Sequence, residues 1–130
     1  MAHAPSIPIS WGELIDKMTI LEIKSERLAS PAALTNVRKE LCLLLKAGEH
    51  GFGENVEVLV LKEKLRAINE MLWDIEDNIR AKEASGAFDE EFIALARSVY
   101  KRNDERAAVK RQINVLLSSE LVEEKSYRAY

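Results

Sequence analysis

The sequence predicts an all-α protein, an antiparallel helical bundle, from three observations. Strong helix formers fill the long stretches between the prolines and glycines. Apolar residues recur along these stretches at three- and four-residue spacing, the period of a helix with one buried face. No stretch shows sustained alternation of apolar and polar residues, although residues 56–61 are β-prone in composition. With 130 residues, the chain has the length of one domain, so we expect a single helical domain over residues 1–130.

The first two predicted helices are short. The first covers residues 11–29 and begins at a capping box formed by Ser10 and Glu13. Pro31 ends it, because the residue before a proline disfavours the helical conformation. A second helix over residues 31–47 then starts with that proline in its first turn, where proline is favoured.

The next two predicted helices are long and cover residues 54–84 and 89–118, with a tail over residues 119–130. The third helix carries a coiled-coil seam with strict 3-4 spacing. The seam consists of Val58, Leu61, Leu65, Ile68, Leu72, Ile75 and Ile79. Because only a short turn around Gly86 separates the two helices, they must form an antiparallel hairpin.

Charge should help to set the register of this hairpin. Acids dominate residues 69–91 and bases dominate residues 97–111. Folding the chain about its turn places Asp77 near Arg97, so we expect ion pairs between the two long helices.

The two pairs of helices differ in length, which predicts an uncovered surface. We expect the second helix to run back along the first half of the third, so that the short pair covers the open end of the hairpin. The closed end, around the turn, then lacks a cover, and an apolar surface of that size is unusual on a monomer. We therefore predict a homodimer that buries Leu72, Trp73, Ile79, Phe88 and Phe92.

A row of polar residues interrupts the apolar face of the fourth helix. It consists of Asn103, Arg106, Lys110 and Asn114. Burying an unpaired cation costs several kcal/mol, so each cation needs a partner. Either the cations extend outward to solvent, or the row is a buried layer that sets register, or it binds an anionic ligand. Asp16 and Arg27 of the first helix complete the candidate ligand site, although we expect Asp16 to be solvated.

The sequence gives little support for a metal site, for catalysis or for binding to nucleic acid or membranes. No histidine lies on a predicted helix, so neither a metal site nor a histidine-activated nucleophile is expected, and we predict no catalytic residue and no cofactor. A net charge of -3 gives no general attraction for nucleic acid or anionic membranes. The sequence shows no signal peptide and no transmembrane stretch, and its single Cys42 fits a cytoplasmic protein. We expect that thiol to be buried and to serve packing.

Four segments resemble those of an uncharacterised bacterial family of small helical proteins. They are residues 9–24 (ISWGELIDKMTILEIK), 72–76 (LWDIE), 96–100 (ARSVY) and 120–127 (ELVEEKSY). The resemblance covers nearly the whole chain and implies a bacterial origin, with an accessory role in cell-surface glycan assembly.

In size and helical-dimer architecture the chain is also similar to the all-helical chorismate mutases, which bind a dicarboxylate between basic side chains. Arg27, Lys39, Arg106 and Lys110 would be the counterparts of those side chains. The spacing from Asp16 to Arg27 does not match that family's first helix, so no catalytic residue is carried over. We expect a non-catalytic interaction or accessory protein that binds itself or another protein. The alternative is a small enzyme or sensor that binds an anionic metabolite.

Overall fold

The structure, a computed structural model, describes residues 3–130, which form four helices and no strand. The helices are α1 (Trp11–Arg27), α2 (Pro31–Gly48), α3 (Val56–Ser85) and α4 (Glu90–Leu116). The predicted all-α bundle, with a long α3–α4 hairpin and a shorter α1–α2 pair, is confirmed. Among the described residues, no helix is both long and apolar enough to cross a lipid bilayer.

Local sequence signals explain where the helices begin and end. Ser10 caps α1 by accepting a hydrogen bond from the Glu13 backbone N–H at 3.1 Å. The β-prone residues 56–61 are helical because Asn55 caps α3 and because Val58 and Leu61 pack in the core at helical spacing. Gly86 ends α3 in a left-handed conformation (φ 67°) that other residues rarely adopt.

The core lies where α1 crosses the open end of the hairpin. Its buried side chains come from α1, α3 and α4, and Leu41 and Leu44 of α2 pack against them from outside. The buried members are Leu14, Ile15, Met18, Val58, Leu61, Leu65, Ile68, Val109 and Ile113.

The predicted position of α2 is wrong. In the described part of the chain, α2 packs against α1 and not along α3. The connector after α2 wraps around the Trp11 ring, which meets Phe52 edge to face at 6.2 Å. A Cβ at Gly51 would lie 1.8 Å from that ring, so only glycine fits at this position without a clash. The tryptophan thus holds α2 on the outer side of α1.

The position of α2 also corrects the expectation for Cys42. Because α2 has only one covered face, the residues beside its apolar stripe face solvent, and Cys42 is exposed with Leu43 and Leu45.

The ion pairs predicted between α3 and α4 are mostly absent. Within residues 3–130, the only such pair joins Lys82 to Glu91 at the turn, where Lys82 also binds the capping Asp89. Asp74 pairs instead with Arg27 of α1 at 2.6 Å, because α1 lies against the hairpin at this level and brings a base closer.

Candidate functional site

A layer of polar side chains crosses the core where α1, α3 and α4 meet. We call it the polar layer, and it consists of Glu13, Asp16, Thr19, Asn69, Asn103, Arg106 and Lys110. Its members alternate along the helices with core residues, since Asp16 lies between Ile15 and Met18 and Lys110 lies between Val109 and Ile113.

Asp16 is the centre of the layer and is fully buried (0% exposed). Its carboxylate accepts hydrogen bonds from Asn69 Nδ2 at 2.8 Å and from Arg106 Nε at 3.0 Å, and a further one from Arg106 Nη2. Asn69 also donates to Thr19 Oγ1 at 2.9 Å, and that hydroxyl donates to the Asp16 backbone carbonyl. The expectation of a solvated Asp16 is wrong, because α2 and the hairpin cover opposite faces of α1.

Arg106 turns its guanidinium inward onto Asp16. Asn103, one turn earlier on α4, accepts from Arg106 Nη1 at 3.4 Å and helps to orient it. The hydrogen bonds with Asp16 raise the pKa of Arg106 despite the opposing effect of burial. Of the alternatives that the sequence left open, outward extension of this cation is therefore wrong.

Lys110 is the most buried cation, with a side chain that is 8% exposed. Its Nζ lies 2.7 Å from Glu13 Oε2, 3.0 Å from Glu123 Oε2 and 3.8 Å from Asp16 Oδ2. Burial alone would lower the pKa of Lys110, but its hydrogen bonds with Glu13 and Glu123 outweigh burial and raise it. The same contact lowers the pKa of Glu123.

The Asn114 side chain accepts a hydrogen bond from the first turn of α1. Its Oδ1 accepts from the backbone N–H of Gly12 at 2.7 Å. The two helices approach so closely that a Cβ at Gly12 would lie 2.5 Å from the Lys110 carbonyl oxygen. Asn114 thus binds a helix N-terminus of its own chain, and only glycine permits this approach.

Arg27 lies outside the polar layer. It is exposed near the end of α1, donates to Asp74 at 2.6 Å and stacks over the Trp73 ring at 5.6 Å. The structure therefore brings together five of the six predicted ligand-site residues along the α1–α4 contact and leaves Arg27 apart. Its contact with Trp73 puts it beside the candidate dimer surface instead.

The charges of the layer are matched internally. Two cations, Arg106 and Lys110, meet the two carboxylates of Asp16 and Glu13, and Glu123 of the tail adds a further contact with Lys110. Such a set ties α1 to α4 and fixes their register, because a shifted register would leave buried charges unpaired. Within residues 3–130, no group of three or more His, Cys, Asp or Glu side chains is placed to hold a metal ion.

Two openings flank α4. On one side, a groove of about 550 Å³ runs between the helices, with Trp73 and Val99 as apolar walls and Asn103 and Arg106 at its inner end. On the adjoining face of α4, a cleft of about 1120 Å³ separates this helix from residues 123–130, and Lys110 lines it. We call the second opening the tail cleft.

The candidate dimer residues run from the level of the end of α1, where Arg27 lies over the Trp73 ring, to the turn of the hairpin. Leu72, Trp73, Ile79 and Phe92 are half-buried, and Phe88 is 61% exposed. Phe88 contacts Phe92 edge to face at 5.2 Å.

Sequence reasoning missed four polar partners. Asn69 follows Leu65 by four residues and precedes Leu72 by three, so its place at the edge of the seam was a usable signal. Glu13 lies one turn from Asp16 on the same face, but its carboxylate goes to Lys110, so only half of the predicted capping box forms. Thr19 showed no distinguishing pattern, and Glu123 lies in a tail without helical periodicity.

Comparison with known proteins adds one finding. A family described as a family of unknown function, DUF6165, matches residues 6–130. No curated protein and no solved structure shows a significant match.

Proposed function

We propose that this chain, which belongs to the DUF6165 family of unknown function, is a non-catalytic interaction protein that pairs with a second copy through the closed end of its hairpin. The observation that carries the proposal is the apolar surface beyond the end of α1. Phe88 and Ile93 are 61% and 55% exposed there, and Phe88 contacts the half-buried Phe92.

Charge supports a second copy as the occupant of this surface. Asp77 and Glu83 of α3, and Arg97 and Lys101 of α4, are exposed and have no ion-pair partner among the described residues. In a two-fold dimer each contact occurs twice, so α3 of one copy can meet α4 of the other at two equivalent places. The acid–base complementarity that the hairpin does not use internally would then be used between copies.

The polar layer favours this role over the anionic-metabolite alternative. Arg106 already binds a fully buried carboxylate, so a ligand would have to displace Asp16 from three hydrogen bonds that Arg106 donates. A buried charge pair of this kind is costly to open. A helical-dimer enzyme or sensor acting through Arg106 is therefore the less supported function.

We also propose that the protein acts in the bacterial cytoplasm as an accessory factor, with a link to cell-surface glycan assembly. The support is the sequence resemblance of residues 9–24 and 120–127, together with a single cysteine. Fractionation of the native host tests the location, and a protein found only in the membrane or secreted fraction would contradict it.

Self-association is tested by analytical ultracentrifugation over a micromolar concentration series. We expect a monomer–dimer equilibrium that Phe88→Gln weakens by more than tenfold, because an exposed phenylalanine buried in both halves of the interface contributes about 1.5–3 kcal/mol per copy. Val115→Gln is the matched control, since Val115 is 73% exposed but lies at the other end of α4. A monomer at every concentration, or equal weakening by the two variants, would refute the proposal.

A further inference from the structure

The C-terminal tail, residues 117–130, lies back along α4. Ser119 is anchored near the end of the helix, where its N–H donates to the Asn114 carbonyl at 2.8 Å. Glu123 then meets Lys110, and the Tyr130 ring lies 5.0 Å from that of Tyr100. The tail therefore runs antiparallel to α4 over three helical turns and forms the outer wall of the tail cleft.

The tail cleft is basic, although the chain as a whole is acidic. Four cationic side chains line it, against two acidic ones, while the chain has a net charge of -3. The cations are Lys110, Arg111, Lys125 and Arg128, and the acids are Asp104 and Glu123. Concentrated positive charge in a concave site attracts small anions.

Glu123 occupies the best anion position in the cleft. Lys110 is the one deeply buried cation there, and of its carboxylate partners Glu123 alone comes from the tail. The Glu123 side chain is 40% exposed, whereas Asp16 is buried in the polar layer. A carboxylate on a tail segment without regular secondary structure can leave Lys110 without opening the helical core, so an external oxyanion can replace it.

Three tyrosines also line the tail cleft. Tyr100, Tyr127 and Tyr130 line it, and all three are exposed. Aromatic faces beside cations suit a ligand that joins a ring to an oxyanion, because the ring stacks while the charge pairs. The volume of about 1120 Å³ is ample for such a molecule.

We propose that the tail cleft binds a small ring-bearing oxyanion, a carboxylate or phosphate whose charged end takes the place of Glu123 at Lys110. Glu123 acts as an internal competitor that holds the site closed when no ligand is present. The groove and the tail cleft lie on adjoining faces of α4, since Val99 and Asn103 line both. Lys110 and Glu123, on which the inference rests, lie away from Phe88 at the closed end, so the inference does not depend on self-association.

The test compares two neighbouring glutamates by isothermal titration calorimetry with phenyl phosphate and with benzoate. Glu123→Gln removes the competing charge and should tighten binding by about fivefold, or about 1 kcal/mol, because solvent at the 40% exposed Glu123 side chain weakens this ion pair. Glu124→Gln is the matched control: it makes the same change in net charge, but Glu124 is 82% exposed and reaches only Arg111, at 3.9 Å. The comparison of phenyl phosphate with benzoate decides between a phosphate and a carboxylate ligand.

Three further results complete the test. Inorganic phosphate and phenol should each bind more weakly than phenyl phosphate, because phosphate lacks the aromatic ring and phenol lacks the anionic group. Arg128→Gln, on the exposed tail, should weaken phenyl phosphate binding without affecting the fold. Equal affinities for Glu123→Gln and Glu124→Gln, or no heat with either probe at millimolar concentration, would overturn the proposal.

Discussion

Replacing Asp16 with asparagine tests whether the polar layer holds α1 to α4. The substitution keeps the size of the side chain but removes the charge that pairs with Arg106. It also points an amide donor at a guanidinium donor. The fully buried position offers no water to take the place of the carboxylate.

The expected loss follows from the environment of the two cations. Removing one partner of a buried ion pair costs about 3–5 kcal/mol. Arg106 is 28% exposed and opens onto the groove, and Lys110 keeps its contacts with Glu13 and Glu123, so the lower end of that range applies. We expect Asp16→Asn to lower the free energy of unfolding by about 3 kcal/mol.

Urea unfolding followed by circular dichroism measures this loss. The exposed Glu63, which has no ion-pair partner among the described residues and lies away from the proposed dimer surface, is the control, and Glu63→Gln should change stability by less than about 0.5 kcal/mol. The double variant Asp16→Asn/Arg106→Met leaves no unpaired charge in that position, so its loss should be about 2 kcal/mol smaller than the sum of the single losses. Additive losses, or an Asp16→Asn effect as small as the control, would refute the assignment of Asp16 as the partner of Arg106.

Three further predictions concern separate parts of the molecule. Gly12→Ala should lower the free energy of unfolding by about 1–3 kcal/mol, because its Cβ would collide with the Lys110 backbone carbonyl; an unchanged thermal midpoint would contradict the close approach. Contact with Lys110 lowers the pKa of the Glu123 carboxyl, so docking of the tail should be complete above pH 4.5, the ordinary pKa of Glu123, and should be lost as the pH falls below that value. The NMR chemical shifts of the tail amides measure this loss, and chemical shifts that stay constant through this range would count against the contact. Cys42 should react with a thiol reagent in the folded protein as fast as in urea, since it is exposed, and strong protection would indicate that α2 packs differently.

The class of fold and the hairpin were predictable because they depend on local signals. The capping serine at position 10, the left-handed Gly86 and the seam through Leu65 each act within a few residues of where they stand. Such signals are readable in a single sequence. The side on which α2 packs was not predictable, because it depends on the Trp11 ring meeting a connector 40 residues later.

Only the part of the candidate site that depends on the periodicity of α4 could be predicted from the sequence. The periodicity of α4 placed Arg106 and Lys110 on its buried face, and the structure confirms that orientation. Their partners are set by the angle at which α1 crosses α4, and periodicity carries no information on crossing angles. Asp16 was expected to be solvated, whereas α3 and α4 cover its side of α1 and supply its partners.

Residues about 100 positions later in the chain accept hydrogen bonds from the first turn of α1. The backbone N–H groups of Trp11 and Gly12 donate to Ser119 Oγ and Asn114 Oδ1, contacts that join residues 108 and 102 positions apart. The hairpin, by contrast, closes around a short turn, and local closures form faster than distant ones. During synthesis α1 leaves the ribosome before α4 does. It can pack against α2 and α3 as they follow, but the N–H groups of its first turn find these two partners only after residues 114 and 119 have been made.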